Sequence, residues 1–198
     1  IRSQIDRIAG IVRQLLEFSR RREPAFRSAD LAQLLAIVTG LLELKIVEKN
    51  IAVHVKIAPT LPSIKGDPHQ LQQVFINLFL NSLHALPSGG TIAITAEVVR
   101  HQSADDNVMV NDDKLRINFE DNGAGIAAEH LGQVFDPFFT TKDVGEGTGL
   151  GLSVAYGIIK DHQGEIRVDS QPGAYTRFEM VLPIETIAPV GVQREMVA

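Results

Sequence analysis

Along the first part of the chain, apolar residues fall at Ile1, Ile5, Ile8, Val12 and Leu15, with Ile11 and Phe18 widening the stripe. Alternating steps of four and three keep these side chains on one side of a helix, so a bundle-type helix is expected over 1–22. Pro24 lacks a backbone donor and drives its predecessor out of helical geometry. The helix should therefore end there, with a domain boundary near Glu23 to Arg27. Asp30 is placed to cap a second helix over 31–49, and Ile51, Val53, Val55 and Ile57 then alternate as a half-buried strand closed by Pro59 and Pro62.

At Asp67-Pro68-His69-Gln70 a capping carboxylate, a first-turn proline and a glutamine three residues after the cap coincide, predicting a helix to about Leu86. A Pro87-Ser88-Gly89-Gly90 turn leads to strands over 91–99 and 115–120, separated by a polar, acidic loop over 101–113 that reads as a tolerated insertion. Beyond a glycine-punctuated stretch lie an apolar helix over 150–161 and strands over 165–169 and 177–182. Helices mixed with hairpin-like strands point to a two-layer α/β sandwich, its mixed sheet covered by helices on one face, rather than a doubly wound parallel sheet. The expected division is a bundle helix over 1–23, one domain over 24–184, and a tail or linker over 185–198 with little pattern.

Composition narrows the function. The chain has 198 residues, enough for one sizeable core, with 44% hydrophobic and 22% charged residues. A net charge of -5 supplies no positive field for a nucleic-acid backbone, and only Arg20, Arg21 and Arg22 form a basic run. The absence of cysteine removes disulfide, zinc-ribbon and thiol chemistry and fits a reducing cytoplasm, the expected location. With no apolar run of about 18 residues, no signal peptide and no initiator methionine, the chain reads as a soluble fragment of a longer protein.

Three constellations could carry chemistry. Asn77 and Asn81 stand one turn apart on a predicted helix beside Val74, Phe75, Leu78 and Leu80, so two carboxamides emerge on one face next to an apolar wall. Such a pair can ligate magnesium, make a helix-to-helix hydrogen bond, or simply be solvated; His84 lines the same face. Asp121-Asn122-Gly123-Ala124-Gly125 follows a strand. It is either a tight connection or a carboxylate presented to an exocyclic amine by a backbone able to approach a ligand closely. The G-x-G-x-x-A spacing of Gly123, Gly125 and Ala128 is a poor dinucleotide fingerprint, because Asp121 would crowd the pyrophosphate and no second βα unit follows. Gly145, Gly147, Gly149 and Gly151 open an apolar helix, which suits an anion cradle better than a flexible linker.

Together these residues resemble the sensor histidine kinases, whose ATPase domain shares a superfamily with DNA gyrase, heat-shock chaperone ATPases and mismatch-repair ATPases. Gln73-Val-Phe-Ile-Asn-Leu-Phe-Leu-Asn-Ser-Leu-His-Ala85 is similar to that family's N box, and Asp121-Asn-Gly-Ala-Gly-Ile126 to its G1 box. Phe135-Asp-Pro-Phe-Phe-Thr-Thr-Lys142 is similar to the F box, and Gly147-Thr-Gly-Leu-Gly-Leu152 to the G2 box.

The resemblance implies a Bergerat-type ATP-binding fold and a kinase that moves the γ-phosphoryl group of ATP to a histidine, for relay to an aspartate of a response regulator. By position, Asn81 would hold Mg2+ on the phosphates with Asn77 in support, and Asp121 and Thr176 would recognise adenine. Gly123, Gly125 and Ile126 would shape the adenine pocket. Gly147, Thr148, Gly149, Leu150, Gly151 and Leu152 would bring lid and helix amides to the phosphates. Phe138 and Phe139 would pack the lid, Lys142 would reach a phosphate, and His84 would line the cofactor side. Hydrolytic relatives carry a water-activating glutamate four residues before the metal-binding asparagine, where this chain has Asn77, so phosphoryl transfer is favoured over hydrolysis.

Two departures stand out. The histidine-bearing H box is absent, so residues 1–22 resemble the second helix of the dimerisation and phospho-acceptor hairpin, and this chain alone should not autophosphorylate. The implied partners are the acceptor helix of the same kinase, a response regulator and, in the intact protein, a second copy. Tyr175 also stands where the family more often has glycine, which bears on the Thr176 contact. The alternatives are an inactive nucleotide-binding regulatory module and an ATP hydrolase.

Overall fold

The computed structural model describes residues 25–99, 113–142 and 147–185. The expected helix over 1–22, nearly all of the 101–113 insertion, Gly145 and most of the tail lie outside the described residues. The element order is β1 (Arg27–Ala29), α1 (Leu31–Glu48), β2 (Ala52–Ile57), β3 (Ile64–Gly66), α2 (Pro68–Ala85), β4 (Thr91–Val99), β5 (Lys114–Asp121), α3 (Ala128–Leu131), α4 (Gly151–Asp161), β6 (Glu165–Gln171) and β7 (Tyr175–Pro183).

Five strands form one sheet in the order β2-β4-β5-β7-β6, and β1 pairs with β3 in a separate two-stranded ribbon. β2 runs parallel to β4, and the other pairs are antiparallel. The parallel pair arises because β3 and α2 intervene as a crossover, whereas β6 and β7 are joined by a short turn. The sheet is therefore mixed, as expected.

Strict alternation decides which face is covered. In β5, Leu115, Ile117, Phe119 and Asp121 are buried while the residues between them are only partly covered. Thr176, Phe178, Met180 and Leu182 repeat the pattern in β7, the strand registered beside it. On this inner face Phe79 of α2 meets Phe119 edge-on at 5.0 Å, and Leu34, Leu35 and Val38 of α1 join the same core. The outer face carries charge instead. Arg116 lies 3.2 Å from Glu97 and 3.4 Å from Glu179, and Arg177 lies 2.6 Å from Glu120.

The strands β1 and β3 and the single-turn α3 were not anticipated, because three or four residues are too few to show a period. Among the described residues no helix is long and apolar enough to cross a membrane.

Candidate functional site

The site is built around two antiparallel helices packed on the inner sheet face. Helix α2 starts as its sequence predicts: Asp67 Oδ1 accepts from the N–H groups of His69 at 2.9 Å and Gln70 at 3.4 Å, with Pro68 in the first turn. Asp67 Oδ2 accepts from the N–H of Ala25 at 3.0 Å. Burial alone would raise the Asp67 carboxyl, but these three N–H donors and the nearby His69 hold it below its ordinary value.

The two asparagines of α2 have different surroundings. Asn77 is buried, its Nδ2 donates to the carbonyl of Gly151 at 2.9 Å, and its Oδ1 accepts from Gln73 Nε2 at 3.3 Å. Its carboxamide thus makes the helix-to-helix bond, fixing the start of α4. Asn81, one turn later, is half-buried, and its carboxamide makes no hydrogen bond to a described residue. His84 lies exposed beyond it. Partial desolvation of its ring, then the charges of Lys142, Lys45 and Lys49, push its pKa below the usual value, opposed by the hydrogen bond the ring donates to the Leu80 carbonyl.

Asp121 ends β5 on the inner face at 2% exposure, low enough to strip most water from the carboxylate. Burial pushes its pKa up, only partly offset by hydrogen bonds from the Ser82 hydroxyl and from the N–H of Gly123, the latter at 3.0 Å. Thr176 of β7 is registered directly beside it. Thr176 Oγ1 lies 3.2 Å from Ser170 Oγ, which accepts from the N–H of Ile126 at 2.8 Å and donates to the Tyr175 carbonyl at 2.6 Å. Asp121, Thr176 and Ser170 thus form one polar row at the end of the sheet. Sequence reasoning missed Ser170; its only signal is being two residues inward of a turn on an alternating strand. The phenol of Tyr175 points to the outer face and donates to Asp169 at 2.8 Å, so it leaves the Thr176 side free.

The loop after Asp121 needs its glycines for contact reasons. Gly125 has φ +70, and a Cβ there would stand 2.3 Å from the Gln171 carbonyl oxygen. The N–H of Gly173 donates to the Ala124 carbonyl at 2.7 Å, clasping this loop to the β6–β7 turn. Gly123 lies against the Ala85 carbonyl, tying the loop to the end of α2.

The F-box and G2 segments meet through backbone. The N–H of Phe138 donates to the Gly149 carbonyl at 3.0 Å, and both residues have positive φ, 68 and 67. A Cβ on Gly149 would stand 2.3 Å from the Phe138 carbonyl carbon. Phe138 is 65% exposed among the described residues, while Phe139 is half-buried with its ring 5.6 Å from that of His130. The aromatic anchor of this segment is Phe135, which sequence reasoning did not single out, stacked near Tyr156 and Phe178. Gly147 lies beside Thr140 and Lys142, and Thr148 Oγ1 accepts from the N–H of Leu150 at 3.4 Å. Leu150 is buried and Leu152 packs on the core, so α4 is held firmly. Helix α4 has no side-chain cap from its N-cap residue, and its first-turn amides have no intrahelical partner.

Among the described residues no group of three His, Cys, Asp or Glu could hold a metal. A free carboxamide oxygen at Asn81 does suit magnesium, which takes few protein oxygens and completes its shell with phosphates and water.

A one-sided α/β sandwich with a buried strand-end carboxylate and a glycine-led helix facing an Asn-bearing helix defines a nucleotide-binding domain. Residues 66–186 match the family model described as histidine kinase-, DNA gyrase B- and HSP90-like ATPase, and the chain belongs to that family. It is 40% identical over 189 residues to the sensor kinase CckA of Brucella abortus, covering 92% of this chain and 20% of the relative. It is also 34% identical to sporulation kinase C of Bacillus subtilis, over 93% of this chain and 40% of the relative. The chain thus spans 20–40% of the length of such curated relatives. The catalytic domain of the histidine kinase ThkA superposes with a TM-score of 0.66 at 31% identity, covering 80% of this chain and 95% of that one.

Proposed function

We propose that the chain is the ATP- and Mg2+-binding catalytic domain of a two-component sensor histidine kinase, lying in residues 24–184 behind one helix of a dimerisation hairpin over 1–23 and ahead of a tail over 185–198. The observation that carries the choice of kinase over hydrolase is the Asn77 bond to Gly151: the position that would need a general base holds a carboxamide already engaged at both ends.

In this reading the Asp121 carboxylate accepts from the adenine amine, with Thr176 beside it and Gly123, Gly125 and Ile126 shaping the pocket. Asn81 holds the metal, which when bound neutralises charge on the phosphates. Amides of 147–152 and the start of α4, with Lys142 and His84 nearby, bind the phosphate chain, and Phe138 and Phe139 close over it with the lid. The domain then holds the γ-phosphoryl group in line with an incoming histidine nitrogen, so positioning and charge stabilisation supply the catalysis.

Partners are the acceptor histidine helix of the same kinase, a response regulator and a second copy in the intact protein. A structure of ThkA in complex with the response regulator protein TrrA, similar to this chain at a TM-score of 0.71 and 28% identity, supports the second of these. The negative net charge argues against nucleic acid, and the lack of cysteine supports a cytoplasmic location.

Calorimetry with ATP, with and without Mg2+ and with GTP as control, tests the reading on wild type and on Asn81→Ala. ATP-selective binding strengthened by Mg2+ only in the wild type supports it, as does phosphohistidine on an added acceptor helix. Mg2+-dependent phosphate release by the chain alone would instead make it a hydrolase.

A further inference from the structure

The proposed reaction leaves a buried imidazole without a task. His162, the residue that ends α4, is fully buried, with 0% of its surface exposed. Its Nδ1 lies 2.7 Å from the Ile158 carbonyl, and its Nε2 accepts from the N–H of Asp67 at 2.9 Å. A carbonyl only accepts and a backbone N–H only donates, so both bonds require the neutral ring with its hydrogen on Nδ1. Phe26 lies over the ring with centroids 5.0 Å apart, and a Cβ on Gly66 would stand 2.6 Å from its Cδ2.

Asp67 adds the third segment, since its carboxylate accepts from Ala25. The strand entering the domain, the start of α2 and the end of α4 therefore meet in one hydrogen-bonded polar knot. Helices α2 and α4 are tied a second time, by Asn77 to Gly151, about three turns further along each helix.

We propose that His162 is a positioning residue, linking the entering segment at Ala25 and Phe26 to the opposite end of α4, where the phosphates of the nucleotide reading would sit. With both ties intact, α4 has no freedom to pivot about Asn77, so its first turn keeps a fixed spacing from Asn81. Displacement of the entering segment from Asp67 and His162 loosens α4, and by reciprocity a nucleotide that fixes the first turn of α4 strengthens docking of that segment. The inference rests on the nucleotide reading for its ligand and on the knot for its route.

Hydrogen exchange of the full chain, with and without AMPPNP and Mg2+, tests it. In the wild type, nucleotide should slow exchange at Ala25 and Phe26 by about fivefold or more. His162→Phe, which fills the space without the two bonds, should abolish that slowing and weaken nucleotide binding by a similar factor. His162→Gln, able to accept from Asp67 and donate to Ile158, should restore much of both. Equal slowing in wild type and His162→Phe, or none in a wild type that binds nucleotide, overturns the proposal. Should nucleotide not bind the wild type, or His162→Phe not fold, Phe26→Ala decides: faster exchange of the amides of 150–153 supports the link, and unchanged exchange overturns it. Failure of wild-type binding alone counts against the nucleotide reading.

Discussion

The two ends of the α2/α4 pair are built on opposite rules. At the Asp67 end the imidazole of His162 and the carboxylate of Asp67 have their partners, Gly66 leaves no room, and the ring is sealed from water. At the other end Asn81 has no partner among the described residues, Phe138 is exposed, and Phe138 and Gly149 sit in left-handed backbone. Satisfied buried polar groups rigidify, whereas free donors and strained backbone cost stability unless a ligand uses them. The contrast separates a structural end from the proposed binding end of the same two helices.

Substitutions at the two ends should differ in which readout they move most. Gly149→Ala puts a Cβ against the Phe138 backbone in a left-handed conformation, a strain of about 1–3 kcal/mol. Its relief by shifting the Phe138 backbone should weaken ATP binding by roughly ten- to hundredfold in calorimetry while the melting temperature stays close to wild type. Asp121→Asn should cost ATP about 1–3 kcal/mol of affinity. Because burial already raises the Asp121 pKa, removing the charge should leave the melting temperature unchanged or higher, and a marked fall would contradict the assignment.

Asp67→Ala should act first on stability, lowering unfolding stability by about 1–2 kcal/mol through the lost cap. The Asp67 pKa is depressed in the folded state, so its contribution is full above the ordinary 3.8 and is lost as pH falls through the folded value. Urea titrations at several pH values should therefore show the gap between wild type and Asp67→Ala closing on acidification below about pH 4. The smallest effect belongs to neither end: Arg167→Ala, on an exposed pair with Glu165, should change stability by no more than about 0.5 kcal/mol.

The binding end was far more legible in the sequence than the structural end. Asn77, Asn81, Asp121 and the glycines of 147–151 belong to short contiguous patterns whose residue types each carry a local reason, and α2 carries both the Asn77 bond to Gly151 and the Ser82 bond to Asp121. The longer elements were legible for the same local reason: Asp67-Pro68 marks the start of α2, and alternation marks β4 from Thr91 to Val99. His162 gave no signal, because its partner Asp67 is 95 positions away and a histidine after an apolar helix looks like an ordinary surface residue. The asymmetry between Asn77 and Asn81 is not readable from the residue types, and enters the sequence only through the family resemblance, since identical side chains one turn apart differ in what α4 places over them.

The register of the β4–β5 hairpin separates two kinds of tolerance to change. Ile92 pairs with Asp121 at one end and Val99 with Lys114 at the other, so the hairpin's connection leaves the sheet roughly 24 Å from the buried carboxylate. A reporter group or a whole inserted module grafted between Val99 and Lys114 would ride on the domain at the opposite end of β5 from Asp121. That end of the hairpin is where new sequence can be added at a distance from the buried carboxylate, by evolution or by a protein engineer.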